Sequence, residues 1–143
     1  GTWIRSGMKI FVCASKHVYN RIPPVKTALE ALGHEITLPN SFDEPFKEEE
    51  MKTVSAETHR AWKGDMLKLQ DEKVKANDAV LVLNLEKHGK PNYIGGATFL
   101  EIFRAFNAGK KIFLYNSIPH GIFTDELLGM GPTVINGDLS KIV

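Results

Sequence analysis

The sequence predicts an α/β protein of the flavodoxin-like class, a five-stranded parallel sheet in the order 2-1-3-4-5 with helices on both faces. Three observations predict it. Residues 8–14 (MKIFVCA) and 78–84 (DAVLVLN) are short, nearly continuous apolar runs, as expected of strands covered on both faces. Such runs alternate with segments whose apolar residues recur at helical spacing, giving βαβαβαβαβ, and right-handed crossovers convert that order into a parallel sheet. Finally, 143 residues suit a single domain of this topology.

In chain order, residues 1–7 show no periodicity and read as a cloning remnant or disordered leader, so the domain is assigned to 8–143. Residues 8–14 are β1. A polar loop, 15–20, precedes a helix carrying Ile22, Val25, Ala28, Leu29 and Leu32, with Pro23 and Pro24 in its first turn and Gly33 at its end. Residues 34–39 are β2, closed by Pro39. The acidic, proline-containing segment 40–50 reads as an exposed excursion able to act as a lid. A helical pattern from 55 to 77 carries Trp62, Met66, Leu69 and Val74, and Gly64 leaves open one long helix or two shorter ones. Residues 78–84 are β3. The loop 85–96, a helix over 97–108, the strand 111–115, a short helix near 125–128 and a brief strand near 133–136 complete the chain.

Eighteen basic and seventeen acidic residues leave a net charge of +1, which gives no electrostatic case for a nucleic-acid polymer or an anionic membrane. No apolar run reaches the roughly 18 residues of a membrane span. A single cysteine, Cys13, and no zinc-like spacing point to a reducing compartment, so a cytoplasmic protein is expected, with neither metal nor cofactor.

In an open parallel sheet the ligand crevice lies beyond the C-terminal strand ends where the winding reverses, here between β1 and β3. Topology brings the loop after β1, the loop after β3 and the start of the following helix to that edge. Glu101 is the reactive candidate: placed in the first helical turn, it would be kept ionised by the free N–H groups and the helix dipole. The competing reading is a surface acid paired with Arg104. Phe99, Ile102, Phe103 and Phe106 are expected to form the buried side of that helix. Ser15, Tyr19, Asn84 and Tyr93 are candidates for holding a ligand, and Gly95 and Gly96 for admitting it close to the backbone. Ser15, Tyr19 and Tyr93 each have a plainer reading, as turn or packing residue, whereas Asn84 at the tip of β3 is better placed for a specific hydrogen bond.

The blocks 78–84 (DAVLVLN), 95–102 (GGATFLEI) and 108–112 (AGKKI) resemble the nucleoside 2-deoxyribosyltransferase and deoxynucleoside monophosphate N-glycosidase superfamily. The β1 end, Val12-Cys13-Ala14-Ser15, looks like the turn that family places beside the sugar or its phosphate. The resemblance implies that Glu101 is a glutamate nucleophile and that an aspartate of the helix before β3 assists departure of the base. Asp65, Asp71 and Asp78 are the candidates, and Asp65, nearest the crevice, is favoured. It further implies a small nucleoside or nucleotide as substrate and a homo-oligomer, dimer or higher. One departure stands out. Where the family carries glycine two positions after the glutamate, this chain has Phe103, expected to crowd the pocket. A nucleotide- or nucleotide-sugar-binding module without chemistry is therefore the alternative function. A flavodoxin-type electron carrier is disfavoured by the lack of a hydroxyl-rich β1 loop.

Overall fold

Strands Lys9–Cys13 (β1), Glu35–Thr37 (β2), Ala79–Val82 (β3), Lys111–Leu114 (β4) and Thr133–Val134 (β5) hydrogen-bond in the order β2-β1-β3-β4-β5, every neighbouring pair parallel. This is the flavodoxin-like topology. The computed structural model describes residues 7–143, and the expectation for residues 1–6 falls outside the described residues.

Because side chains alternate across a strand, the sheet sorts its apolar residues into two cores. Phe11, Cys13, Val80, Val82, Ile112 and Leu114 pack on one face with Val74, Ile102, Ala105 and Leu127. Those four come from helices Ala56–Ala76 (α3), Gly96–Asn107 (α4) and Thr124–Met130 (α5). Ile10, Val12, Ala79, Leu81 and Phe113 pack on the other face. There they meet Ile22 and Leu29 of helix Ile22–Ala31 (α1) together with Ile135 and Ile142. Burial on both sides explains why β1 and β3 are nearly continuous apolar runs.

Four local features bear on the site. First, α3 is one uninterrupted helix through Gly64, started by Ser55, whose Oγ accepts from the Thr58 N–H at 3.0 Å. Second, the segment expected to be an exposed excursion is not wholly irregular: Lys47–Val54 (α2) is helical and lies along α3. Third, the loop after β3 contains a small antiparallel turn, with Lys87 bridging Lys90 and His88 and Gly89 at φ of 51° and 77°. Paired positive φ values define a tight hairpin turn, which suits the glycine and strains the histidine. Fourth, α4 is rotated from its expected setting. Thr98, Glu101, Ile102 and Ala105 are its buried residues, whereas Leu100, Phe103 and Phe106 are 39%, 50% and 49% exposed. The stripe at i, i+3, i+4 and i+7 that faces the sheet therefore includes the carboxylate, and two of the phenylalanines expected inside lie outside.

Candidate active site

A cleft of about 290 Å³ opens at the C-terminal edge of the sheet, where the loops after β1 and β3 meet α3, α4 and the lid. Of the residues singled out from sequence, Ser15, Tyr19, Tyr93, Gly95, Gly96 and Glu101 all line it. The β1 register places Cys13 opposite Val82, so the two strands end level and their following loops meet.

Glu101 is the only acid among the buried residues described, at 8% exposure. It lies in the second turn of α4, since the helix begins at Gly96 and its first turn holds no acid. The dipole argument for an ionised carboxylate therefore does not carry. Burial dominates instead and pushes its pKa up to about 8, against the opposing pull of hydrogen bonds from Cys13 and Gln70 and the positive charges of Lys73 and Arg104. At neutral pH most of the population is protonated. Burial, followed by the charge of Glu101, in turn holds the Cys13 thiol well above its ordinary range. Burial pushes Tyr19 up to about 12, with Glu101 and Cys13 adding to it.

Arg104 does not neutralise Glu101 as a surface pair. Its Nε donates to Gln70 Oε1 at 3.0 Å, and its guanidinium meets Asp71 Oδ1 at 3.1 Å. Gln70, 4% exposed, also donates from Nε2 to the Ala97 carbonyl at 2.8 Å, tying α3 to the start of α4. Sequence reading missed Gln70. The available signal was its spacing of four from both Met66 and Val74, which puts a polar residue on the apolar side of α3.

Phe103 is half-exposed and does not line the cleft, so the expected crowding does not occur. Asp65 is exposed on α3 and is likewise absent from the cleft wall. Asn84 lies at the predicted strand tip but faces β4. Its amide accepts from Asn116 N at 2.8 Å and donates to the carbonyls of Asn116 and Ser117 at 2.9 and 3.0 Å, clamping the ends of β3 and β4 together.

The loop residues make one wall of the cleft basic. Lys16 and His17 come from the loop after β1, and Lys87 from the loop after β3. His17 packs edge-on against His88, with ring centroids 5.3 Å apart. Partial desolvation and the like charges of Lys87, His88 and Lys16 hold His17 below its ordinary range. The Lys87 ammonium sits 4.6 Å from the centroid of the Tyr93 ring. That ring lies against Gly95, where an added Cβ would come within 3.2 Å of the phenol oxygen. Gly95 is small so that Tyr93 can pack. A Cβ at Gly96 would meet nothing within 4 Å.

Segment 40–50 forms the remaining side. Lys16 forms an ion pair with Glu49 of α2. Glu48 accepts from His59 at 2.9 Å and from Lys63 at 3.2 Å, both on α3, and these contacts hold it below the usual carboxylate range despite partial burial. Asn40 Oδ1 is buried with no hydrogen-bond partner among the described residues. Among the described residues no group of three or more His, Cys, Asp or Glu is arranged to hold a metal ion, and no helix is long and apolar enough to cross a membrane.

The fold is shared with a protein of known structure. The structure of Clostridium botulinum CMP N-glycosidase, BcmB, superposes with a TM-score of 0.52 over 88% of this chain and 84% of that one, at 18% identity. No protein-family model matches the chain, and no curated protein matches it in sequence.

Proposed function

We propose that the chain is an enzyme that cleaves or transfers the N-glycosidic bond of a nucleotide, with Glu101 as nucleophile. The observation carrying this reading is a buried carboxyl lining a cleft with a basic wall, at the sheet edge where this topology binds ligands. The family resemblance of the α4 segment, and a fold shared with a CMP N-glycosidase, support the same choice.

In this mechanism ionised Glu101 attacks the anomeric carbon as the bond to the base nitrogen breaks. The bonding pair leaves with the base, which takes a proton from solvent, and a glycosyl ester forms on the carboxylate. Water or a second base then attacks the same carbon from the opposite face, returning Glu101 and giving net retention. Ser15, Lys16, His17 and Lys87 would hold a 5′-phosphate through hydroxyl and cationic contacts. Gln70 and Cys13 steady the carboxylate. Asp65, placed outside the cleft, has no part in this scheme.

Incubation with a panel of ribo- and deoxynucleosides and their 5′-phosphates, with and without acceptor bases, tests the proposal. Free base or exchanged nucleoside, faster from phosphates than from nucleosides, is the expected result. No base from any member sinks it. The non-catalytic binding module drew its case from Phe103, and that side chain is outside the cleft. Stabilisation by a nucleotide without turnover would revive that reading. The resemblance also implies a homo-oligomer, and the exposed Leu100, Phe103 and Phe106 stripe on α4 is the surface we assign to it.

A further inference from the structure

Gln70 is the one polar residue that α3 buries, and both ends of its amide are committed. Oε1 accepts from Arg104 Nε at 3.0 Å, and Nε2 donates to the Ala97 carbonyl at 2.8 Å. Arginine offers donors only, so the contact with Arg104 selects the amide oxygen, while the Ala97 carbonyl selects the nitrogen from the other side. Ala97 and Glu101 are one turn apart on α4, on the same side of the helix. Nε2 has a second N–H, and the Gln70 hydrogen bond to Glu101 favours the ionised carboxylate against the larger, opposing effect of burial. With the amide reversed, its oxygen would meet the carboxyl instead, accept a hydrogen bond from the protonated acid and favour the neutral form.

Arg104 is itself held. Its guanidinium meets Asp71 Oδ1 at 3.1 Å, and Asp71 Oδ2 pairs with Lys75 at 2.8 Å. A chain of contacts thus runs from the surface of α3 through α4 to the buried carboxyl. The other groups that face Glu101 have anchors of their own. Cys13 of β1 is a weak donor whose Sγ also lies 3.8 Å from the Phe11 carbonyl, and the Lys73 ammonium of α3 donates to the Leu38 carbonyl at 2.9 Å. Tyr19, from the loop after β1, packs its ring against Phe42. We infer that Arg104 is a positioning residue for the reaction: it acts on Glu101 through Gln70, by holding the amide with its N–H toward the carboxylate that must form before attack. The inference rests on the nucleophile assigned above and adds what readies it.

Carboxyl ¹³C NMR of the full chain labelled at glutamate Cδ reads the ionisation of Glu101 without requiring turnover, and Glu101→Gln identifies its resonance. Arg104→Met is expected to raise the midpoint by about one pH unit, a roughly tenfold loss of carboxylate below it. Gln70→Met is expected to raise it by a similar amount. Because Arg104 acts through Gln70, adding Arg104→Met to Gln70→Met is expected to produce less than half the shift it produces alone. A shift of half or more in that background means that Arg104 acts by its charge, and overturns the inference, as does an unmoved midpoint in either single variant. Circular-dichroism melts establish that each variant folds. If Gln70→Met does not, the side-chain amide protons of Gln70 decide: they are expected to shift at the Glu101 midpoint in the wild type and to stop doing so in Arg104→Met, and continued shifting there overturns the inference. The pH midpoint of kcat/KM should move with the titration. Shifted titrations in a protein that releases no base keep the positioning role and remove the chemistry proposed above. Base release that depends on Glu101, with unmoved titrations, keeps that chemistry and removes the inference.

Discussion

Glu101 shows how one side chain can be located from sequence while its physical state is not. Its place at the crevice was legible from topology and from the block 95–102. Its protonation was not, because that depends on which face of α4 turns inward, and a rotation of one residue exchanges a dipole-stabilised surface acid for a buried one. Burial makes a definite pH prediction. The folded pKa of about 8 lies above the unfolded value near 4.5, so the folded state holds the proton more tightly in between. Stability from this group is fully present below pH 4.5 and is lost as pH rises through 8, on the order of a few kcal/mol in all. Chemical denaturation across that range should show the decline in the wild type and a flatter profile in Glu101→Gln. Catalysis runs the opposite way: kcat/KM should rise with pH and level off near 8 as the nucleophile ionises. Asp65→Asn, exposed and off the cleft, should change turnover by no more than about twofold, and a larger loss would restore the role expected of it from sequence.

Among the elements, the strands were read closely and α4 only in part. β1 and β3 announce themselves because both faces are covered, which gives a strand a nearly continuous apolar run. In α4, by contrast, Ile102 and Phe99 pack on the core as expected but Phe103 and Phe106 do not, so hydrophobicity alone set the helix face only in part. Close packing against the sheet selects Thr98, Ile102 and Ala105, and Phe99 finds its partner outside the sheet, stacked on Phe123 at 4.2 Å. Thermal or urea melts should therefore separate neighbours in the sequence: Ile102→Ala, fully buried, is expected to cost about 2–5 kcal/mol, and Phe103→Ala about 1 kcal/mol or less. The lid makes a different prediction. Its ion pairs with Lys16 and Lys63 are partly exposed and contribute little to stability, so Lys16→Ala should leave the melting temperature nearly unchanged while raising KM for a phosphorylated substrate.

At the scale of the whole molecule, alternation and handedness restrict the strand order, which is why the 2-1-3-4-5 sheet was legible in the sequence. The far wall of the cleft could not. Asn40 and Glu48 reach it through contacts between segments distant in sequence, and no local pattern marks them, whereas Gln70 is marked only by its spacing on the apolar side of α3. Assembly belongs to this scale too. Sedimentation velocity should show a species larger than 16.0 kDa, and Phe103→Asp with Phe106→Asp should reduce it to the monomer. The central claim, that Glu101 carries the chemistry covalently, is tested most directly by mass mapping of the protein quenched during turnover of a 2′-fluorinated nucleotide, whose electron-poor sugar slows breakdown of the ester. A glycosyl adduct on the peptide containing Glu101, absent from Glu101→Gln, is the result expected. Base release that proceeds with no adduct, or undiminished in Glu101→Gln, would contradict it.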